Sequence, residues 1–173
     1  MIEIFKQALI NQYEASLCTL KLCADNCPDD HWEGLVCNHK FCQSVFHTLF
    51  FADIYLGPNL EALRDQAFHK DNAQHFGDYE ELEDRKPELV YDRGFISQYF
   101  AHCRQKAKET VEAETEQSLA KPCRFKWLDV VRAEVHPYNV RHIQHHAAQL
   151  ILRMRIDGTY AAGWVKSGWA PND

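Results

Sequence analysis

The sequence predicts an all-α protein, specifically a four-helix bundle with a long crossover connection between helices two and three. Four stretches repeat apolar residues at the three-to-four-residue spacing of amphipathic helices. The polar segment 57–91 loses this periodicity, and no segment shows the sustained alternation of a strand. A chain of 173 residues, 46% of them hydrophobic, has the size and core of one domain. We therefore expect a single bundle domain over residues 1–173.

The first two helices are predicted over residues 2–24 and 36–56. Pro28 and the aspartates that follow it favour a turn between them, and Gly57-Pro58 stops the second helix. The apolar positions of the first helix are Phe5, Leu9, Tyr13, Leu17 and Leu20.

The third helix is predicted over residues 95–116, after Asp92 and Arg93-Gly94, and the last over residues 134–156. Pro137 requires the last helix to begin near Ala133, so that the proline lies in the first turn, where its missing N–H costs nothing. Gly158 suits the left-handed position that closes a helix. Between the two helices, residues 119–126 are predicted to form a loop, and the conformation of residues 127–131 is left open. The apolar positions of the third helix are Phe95, Tyr99, Cys103, Ala107 and Val111.

Composition excludes several classes of function. The net charge of −6 does not provide the positive field that gathers nucleic acid or anionic lipid. The N-terminus lacks the pattern of a signal peptide, and the most apolar run, 45–57, is too short to cross a bilayer. Seven cysteines without a zinc-finger pair are typical of reduced thiols. We therefore expect a cytoplasmic protein with no nucleic-acid or membrane partner.

Histidines form the main candidate site. His142 and His146 lie four residues apart and project from the same face of the last helix, whereas His145 is turned roughly 60 to 100° away. Two imidazoles rarely hold a divalent ion, and His47 interrupts an apolar run of helix two, so it is the candidate third ligand. The alternative is that His47 bonds a buried carbonyl and that the other histidines form a solvated helix face. Spacing alone does not separate these hypotheses.

The donor set limits the metal. A ferritin-like di-iron centre needs Glu-x-x-His pairs on two helices, and this chain has none. Ligation by histidines alone suits Zn, Ni, Cu or Fe, and the order of affinities does not choose among them. We favour a divalent transition metal, Zn or Ni, with Fe or Cu as alternatives.

At these histidines the chain resembles the DinB and YfiT-like family of helical bundles. The family carries a lone histidine in helix two, matched by His47, and an HxxHH motif before a glutamine in helix four, matched by residues 142–149. Ala147-Ala148 replaces the Arg-Gly of many relatives. The resemblance implies that His47, His142 and His146 bind the metal, that water fills an open position, and that the chain pairs into homodimers.

Two classes of function follow. Characterised members of the family use the metal to activate a low-molecular-weight thiol, so the resemblance implies a metal-dependent thiol S-transferase acting on a small-molecule thiol and an electrophile. A hydrolase ranks lower because Asp53, the nearest carboxylate in helix two, lies on roughly the opposite face from His47. The non-catalytic alternative is a metal-binding or stress-related module whose ion is structural.

The residues around the ligands receive weaker assignments. His145 is predicted either to contact the metal ligands without binding the metal or to lie at the surface. Arg141 and Gln149 are predicted either to orient a substrate or to be solvated residues of the helix. Tyr13 and Tyr138 are further candidates for the pocket. The tail, about residues 158–173, is expected to pack on the bundle because its tryptophans, Trp164 and Trp169, would be costly in solvent.

Overall fold

The computed structural model describes residues 1–160 and 162–170. It is 67% helix and 4% strand, which confirms the predicted all-α class. Short 3₁₀ turns occupy Asp29–His31, Ala73–His75 and Gly77–Leu82. The elements in chain order are α1 (Ile2–Asn26), β1 (Leu35–Val36), β2 (His39–Lys40), α2 (Phe41–Leu56), α3 (Leu60–Asp65), α4 (Ala67–Asp71), α5 (Arg93–Ala113), α6 (Glu116–Leu119) and α7 (Arg132–Ile156).

In the described part of the chain, the long helices α1, α2, α5 and α7 pack around a shared apolar core. Helices α1 and α2 each pack against both α5 and α7 and make few contacts with each other. Because α2 packs along α7, side chains of these two helices can meet at their shared edge. The buried Asn139 side chain of α7 reinforces this pairing by donating a hydrogen bond of 2.9 Å to the Ala52 carbonyl of α2. The largest fully buried side chains include Tyr13, Tyr91, Tyr99, Phe41, Phe46 and Phe50.

Helix α2 begins at Phe41, so the predicted start at Val36 is wrong. The preceding residues form a small antiparallel hairpin in which Val36 pairs with His39, and Cys37 turns the chain with a φ of 56°. The side chain of Gln43 then accepts a hydrogen bond of 2.8 Å from the Lys40 amide, which satisfies a free N–H at the helix start. Local capping therefore sets the beginning of α2, and hydrophobicity does not.

The long connection contains the short helical pieces that the sequence predicts. Asp53 of α2 anchors this connection to the helices. Its fully buried carboxylate accepts hydrogen bonds from His69 of α4 at 2.8 Å and from Tyr99 of α5 at 3.0 Å. Lys106 of α5 forms an ion pair with the same carboxylate. One buried acid thus joins α2, the connection and α5.

Helix α7 begins at Arg132, which places Pro137 in the second turn, and the predicted first-turn position is therefore wrong. The end of the helix follows the prediction. Gly158 adopts a φ of 68°, and the Thr159 amide donates to the Met154 carbonyl at 3.0 Å, which is the pattern of a Schellman cap.

The C-terminal tail lies along α1 and α5. The Gly168 amide donates to the Asn11 carbonyl at 3.0 Å, and the Arg104 guanidinium lies 4.2 Å from the ring centre of Trp169. Trp164, in contrast, is 75% exposed, so the expected packing of this tryptophan is wrong. Positions 161 and 171–173 of the predicted tail lie outside the described residues. Among those described, no helix is long and apolar enough to cross a membrane.

A second buried polar group fixes the start of α7. Glu114 accepts hydrogen bonds from Arg132 at 2.8 Å and from His136 at 3.1 Å. Tyr13 lies 3.2 Å from the other ring nitrogen of His136. Burial, reinforced by the Arg132 charge, lowers the pKa of His136 to about 4. The imidazole is therefore neutral in the folded chain at pH 7.

This burial predicts a stability that falls in mild acid. The pKa of His136 is depressed from 6.5 to about 4, so the stability is present above pH 6.5 and is lost as the unfolded chain takes up a proton below it. Between pH 6.5 and pH 5 the loss due to His136 should be about 2 kcal/mol. Urea titrations at the two pH values give the free energy of unfolding of the metal-free protein and of His136→Gln. Between pH 6.5 and pH 5 this free energy should fall by about 2 kcal/mol more in the wild type than in the variant. Parallel curves would contradict the assignment.

Candidate metal centre

Two packed helices bring the three predicted ligands together. His47 comes from the middle of α2, and His142 and His146 come from one face of α7 beside the fully buried Ile143 and Ala147. One nitrogen from each histidine lies within 4.8 Å of the other two. The ring centres of His142 and His146 are 4.7 Å apart, and those of His47 and His146 are 4.9 Å apart. Among the described residues this is the one cluster that could hold a metal ion.

The site lowers the proton affinity of its imidazoles. Burial, followed by the neighbouring histidines, lowers the pKa of His142 to about 3. The same two causes lower the pKa of His146 to about 4. Both rings are therefore neutral at pH 7, and the neutral ring is the form that binds a metal.

Hydrogen bonds occupy one nitrogen of the His47 ring and one of the His146 ring, which leaves the other nitrogen of each available. Nδ1 of His47 lies 2.5 Å from Oε2 of Glu81, and Nδ1 of His146 lies 3.0 Å from Oε1 of Gln149. Each Nδ1–H donates to its oxygen, so the lone pair of each ring is on Nε2. His142 has a buried Nδ1 without a partner among the described residues. A buried ring nitrogen rarely stays unpaired, and a cation would satisfy it.

The distances fit a transition metal after small side-chain rotations. Zinc–imidazole bonds are about 2.1 Å long, so two nitrogens on one ion are at most about 4.2 Å apart. The 4.8 Å limit within the cluster is close to this value. Three protein ligands and an open position are the pattern of catalytic zinc sites. The side chain of His47 is 32% exposed, which leaves the cluster open on one side.

The further site candidates separate into two groups. Gln149 bridges His146 and His145, since its amide nitrogen lies 3.1 Å from Nε2 of His145. His145 is exposed and lies outside the ligand cluster, in agreement with the helical period. Arg141 is also exposed and makes no hydrogen bond or ion pair with the described residues. It therefore remains a candidate for substrate contact only.

An open pocket of about 490 Å³ adjoins His142. Tyr138 and Arg141 line it together with Gln144 and His145. Behind it, the ring of Tyr55 packs edge-on against Tyr138 at 5.1 Å. The pocket thus offers an aromatic surface and the guanidinium of Arg141 beside a candidate ligand. Tyr13 does not face this pocket, because it is buried against His136, and that expectation is wrong.

Two contributors to the site were not predicted. Glu81 reaches His47 from the 3₁₀ turn Gly77–Leu82, and no sequence signal distinguishes it from the other acidic residues of the connection. His39 of β2 lies with its ring centre 6.5 Å from that of His47. Asp53 lies on the side of α2 that faces α5, away from the cluster, as the helical period predicts.

The cysteines take no part in the cluster. All seven are free, and Cys37 is the exposed one. Burial raises the pKa of the Cys23 thiol to about 12 and that of Cys27 to about 11, so neither is a ready thiolate.

Comparisons with known proteins found no relative of this chain. No protein-family model, curated protein or solved structure matches the chain. The resemblance to the DinB and YfiT-like family therefore remains a prediction, and the histidine cluster is the feature of the molecule from which a function can be proposed.

Proposed function

We propose that this chain is a metal-dependent thiol S-transferase of the DinB-like four-helix-bundle class, in which His47, His142 and His146 hold a divalent transition ion, Zn or Ni rather than Fe or Cu. The observation that carries the proposal is the convergence of one nitrogen from each of three histidines on two helices. The buried Nδ1 of His142, which has no partner among the described residues, supports it. Such an ion would keep its full positive charge among neutral ligands and would deprotonate a coordinated thiol at neutral pH.

The residues around the cluster favour transfer over hydrolysis. A metal-dependent hydrolase normally uses a nearby carboxylate as the base that activates water. The carboxylate found here, Glu81, is engaged through Oε2 with the remote nitrogen of His47. The pocket beside His142 instead offers Tyr138 for an apolar acceptor and Arg141 for an anionic group. Its size suits a small molecule.

The proposal predicts thiol consumption that depends on the metal. The zinc-loaded protein is mixed with free cysteine and, in turn, an aryl halide, an epoxide and an α,β-unsaturated carbonyl compound, and the loss of free thiol is followed. We expect consumption above the uncatalysed rate that stops when a chelator removes the metal. A Cys37→Ser background removes the exposed protein thiol from the count.

The same preparation tests the non-catalytic alternative. A structural ion stabilises the folded chain in proportion to its binding. If no electrophile is consumed while chelation lowers the melting temperature sharply, the transferase proposal is wrong and the ion is structural.

A further inference from the structure

Glu81 is an unusual residue for its position. It belongs to a surface connection, yet its side chain is 4% exposed. Its Oε2 contacts Nδ1 of His47, while Oε1 is buried without a hydrogen-bond partner among the described residues. Burying a carboxylate with one partner is costly unless a positive charge lies close by. A cation on the far nitrogen of His47 would supply that charge.

The backbone of the connection turns sharply just before Glu81 and so places its carboxylate beside His47. Asp78 and Tyr79 adopt left-handed φ values of 58° and 64°, and the next residue, Glu80, is buried. Glu80 accepts a hydrogen bond of 3.1 Å from the Glu88 amide, which ties the turn to the chain that follows it. Glu81 therefore approaches His47 from a turn that contains two left-handed residues and is held by the hydrogen bond between Glu80 and Glu88.

We propose that Glu81 is a positioning residue that couples the connection between α2 and α5 to the metal centre. By accepting the Nδ1–H of His47, it holds the lone pair on Nε2 and orients the ring towards His142 and His146. Carboxylate–histidine–metal arrangements of this kind also make the ligand more basic. The inference rests on the proposed metal site and adds a residue that binds no metal itself.

Zinc affinity is the direct test. The apo form of the full chain is titrated with Zn²⁺ in competition with a chromogenic chelator. Glu81→Ala should bind zinc about 10- to 100-fold more weakly than the wild type, the range typical for a lost outer partner. Glu81→Gln should lose less, because its amide oxygen still accepts the Nδ1–H without the negative charge. The matched control is Glu83→Gln, whose side chain is 45% exposed and lies in the same connection.

A melting curve separates positioning from simple support of the fold. The apo form of Glu81→Gln should melt within about 2 °C of the apo wild type, while the rise in melting temperature on adding zinc becomes smaller. If Glu81→Ala does not fold, Glu81→Gln decides the question by the same two measurements. Unchanged zinc affinity in both variants, or an affinity loss matched by a lower apo melting temperature, overturns the inference. A wild type that binds neither Zn²⁺ nor Ni²⁺ overturns the proposed function as well.

Discussion

Replacing His142 by alanine is expected to weaken zinc binding more than about 100-fold, beyond the loss that an outer partner produces. Burial lowers the pKa of His142 to about 3, and its Nδ1 has no partner in the described part of the chain. Without it, His47 and His146 remain, and two imidazoles do not complete a zinc site. Elemental analysis after gel filtration should find little metal in this variant.

The matched control is His145→Ala, three residues along the same helix. His145 is exposed and lies outside the ligand cluster, although it contacts Gln149 and its ring centre is 5.1 Å from that of His146. This variant should keep a full equivalent of zinc and an affinity close to that of the wild type. Full metal content in His142→Ala, or equal losses in the two variants, would refute the assignment of ligands.

The separation of these two histidines was predictable because it depends on local geometry. The helical period alone places His142 and His146 on one face and turns His145 away. The bounds of α5 and α7 were likewise close to prediction, since capping residues such as Asp92 and Gly158 act within one turn. Local geometry was therefore sufficient to predict the bounds of these helices and the face of α7 that carries His142 and His146.

Tertiary effects account for what the sequence did not show. Val36 is apolar and continues the pattern of α2, yet it lies in a hairpin whose turn is made by Cys37 in a left-handed conformation. Glu81 depends on a similar turn, in which Asp78 and Tyr79 adopt left-handed conformations directly after Gly77, whose φ is 45°. The glycine favours a turn at this place, but it does not indicate which side chain the turn brings to His47. A carboxylate delivered by such a turn has no signature in composition or spacing. It becomes visible only through its contact with His47.

Replacing Asp53 by alanine should lower the free energy of unfolding by about 3–5 kcal/mol, the cost typical of removing one partner from a buried ion pair. Burial alone would raise the pKa of Asp53, but the adjacent His102 and His69 and the charge of Lys106 hold it well below its ordinary range. The stability that this carboxylate contributes is therefore present above about pH 4, its unfolded pKa, and is lost as the pH falls further.

Urea denaturation at pH 7 measures the effect of Asp53, and Asp65→Ala is its matched control. Asp65 lies on α3 with its side chain 80% exposed and pairs with Lys70 at 3.4 Å, so its loss should cost less than about 0.5 kcal/mol. The double change Asp53→Asn with Lys106→Met should recover part of the stability, because it leaves no buried charge without a partner. A loss below about 1 kcal/mol in Asp53→Ala would contradict the network.

Asp53 also supports the two segments that carry His47 and Glu81, so its loss should affect the candidate metal site. Its carboxylate joins α2 to His69 in the connection and to Tyr99 in α5, and His47 lies less than two turns earlier on α2. The same connection supplies Glu81 to His47. Loss of the buried acid should therefore loosen both the helix that carries one ligand and the segment that orients it. We expect zinc affinity to fall in Asp53→Ala but not in Asp65→Ala, even under conditions in which both variants remain folded.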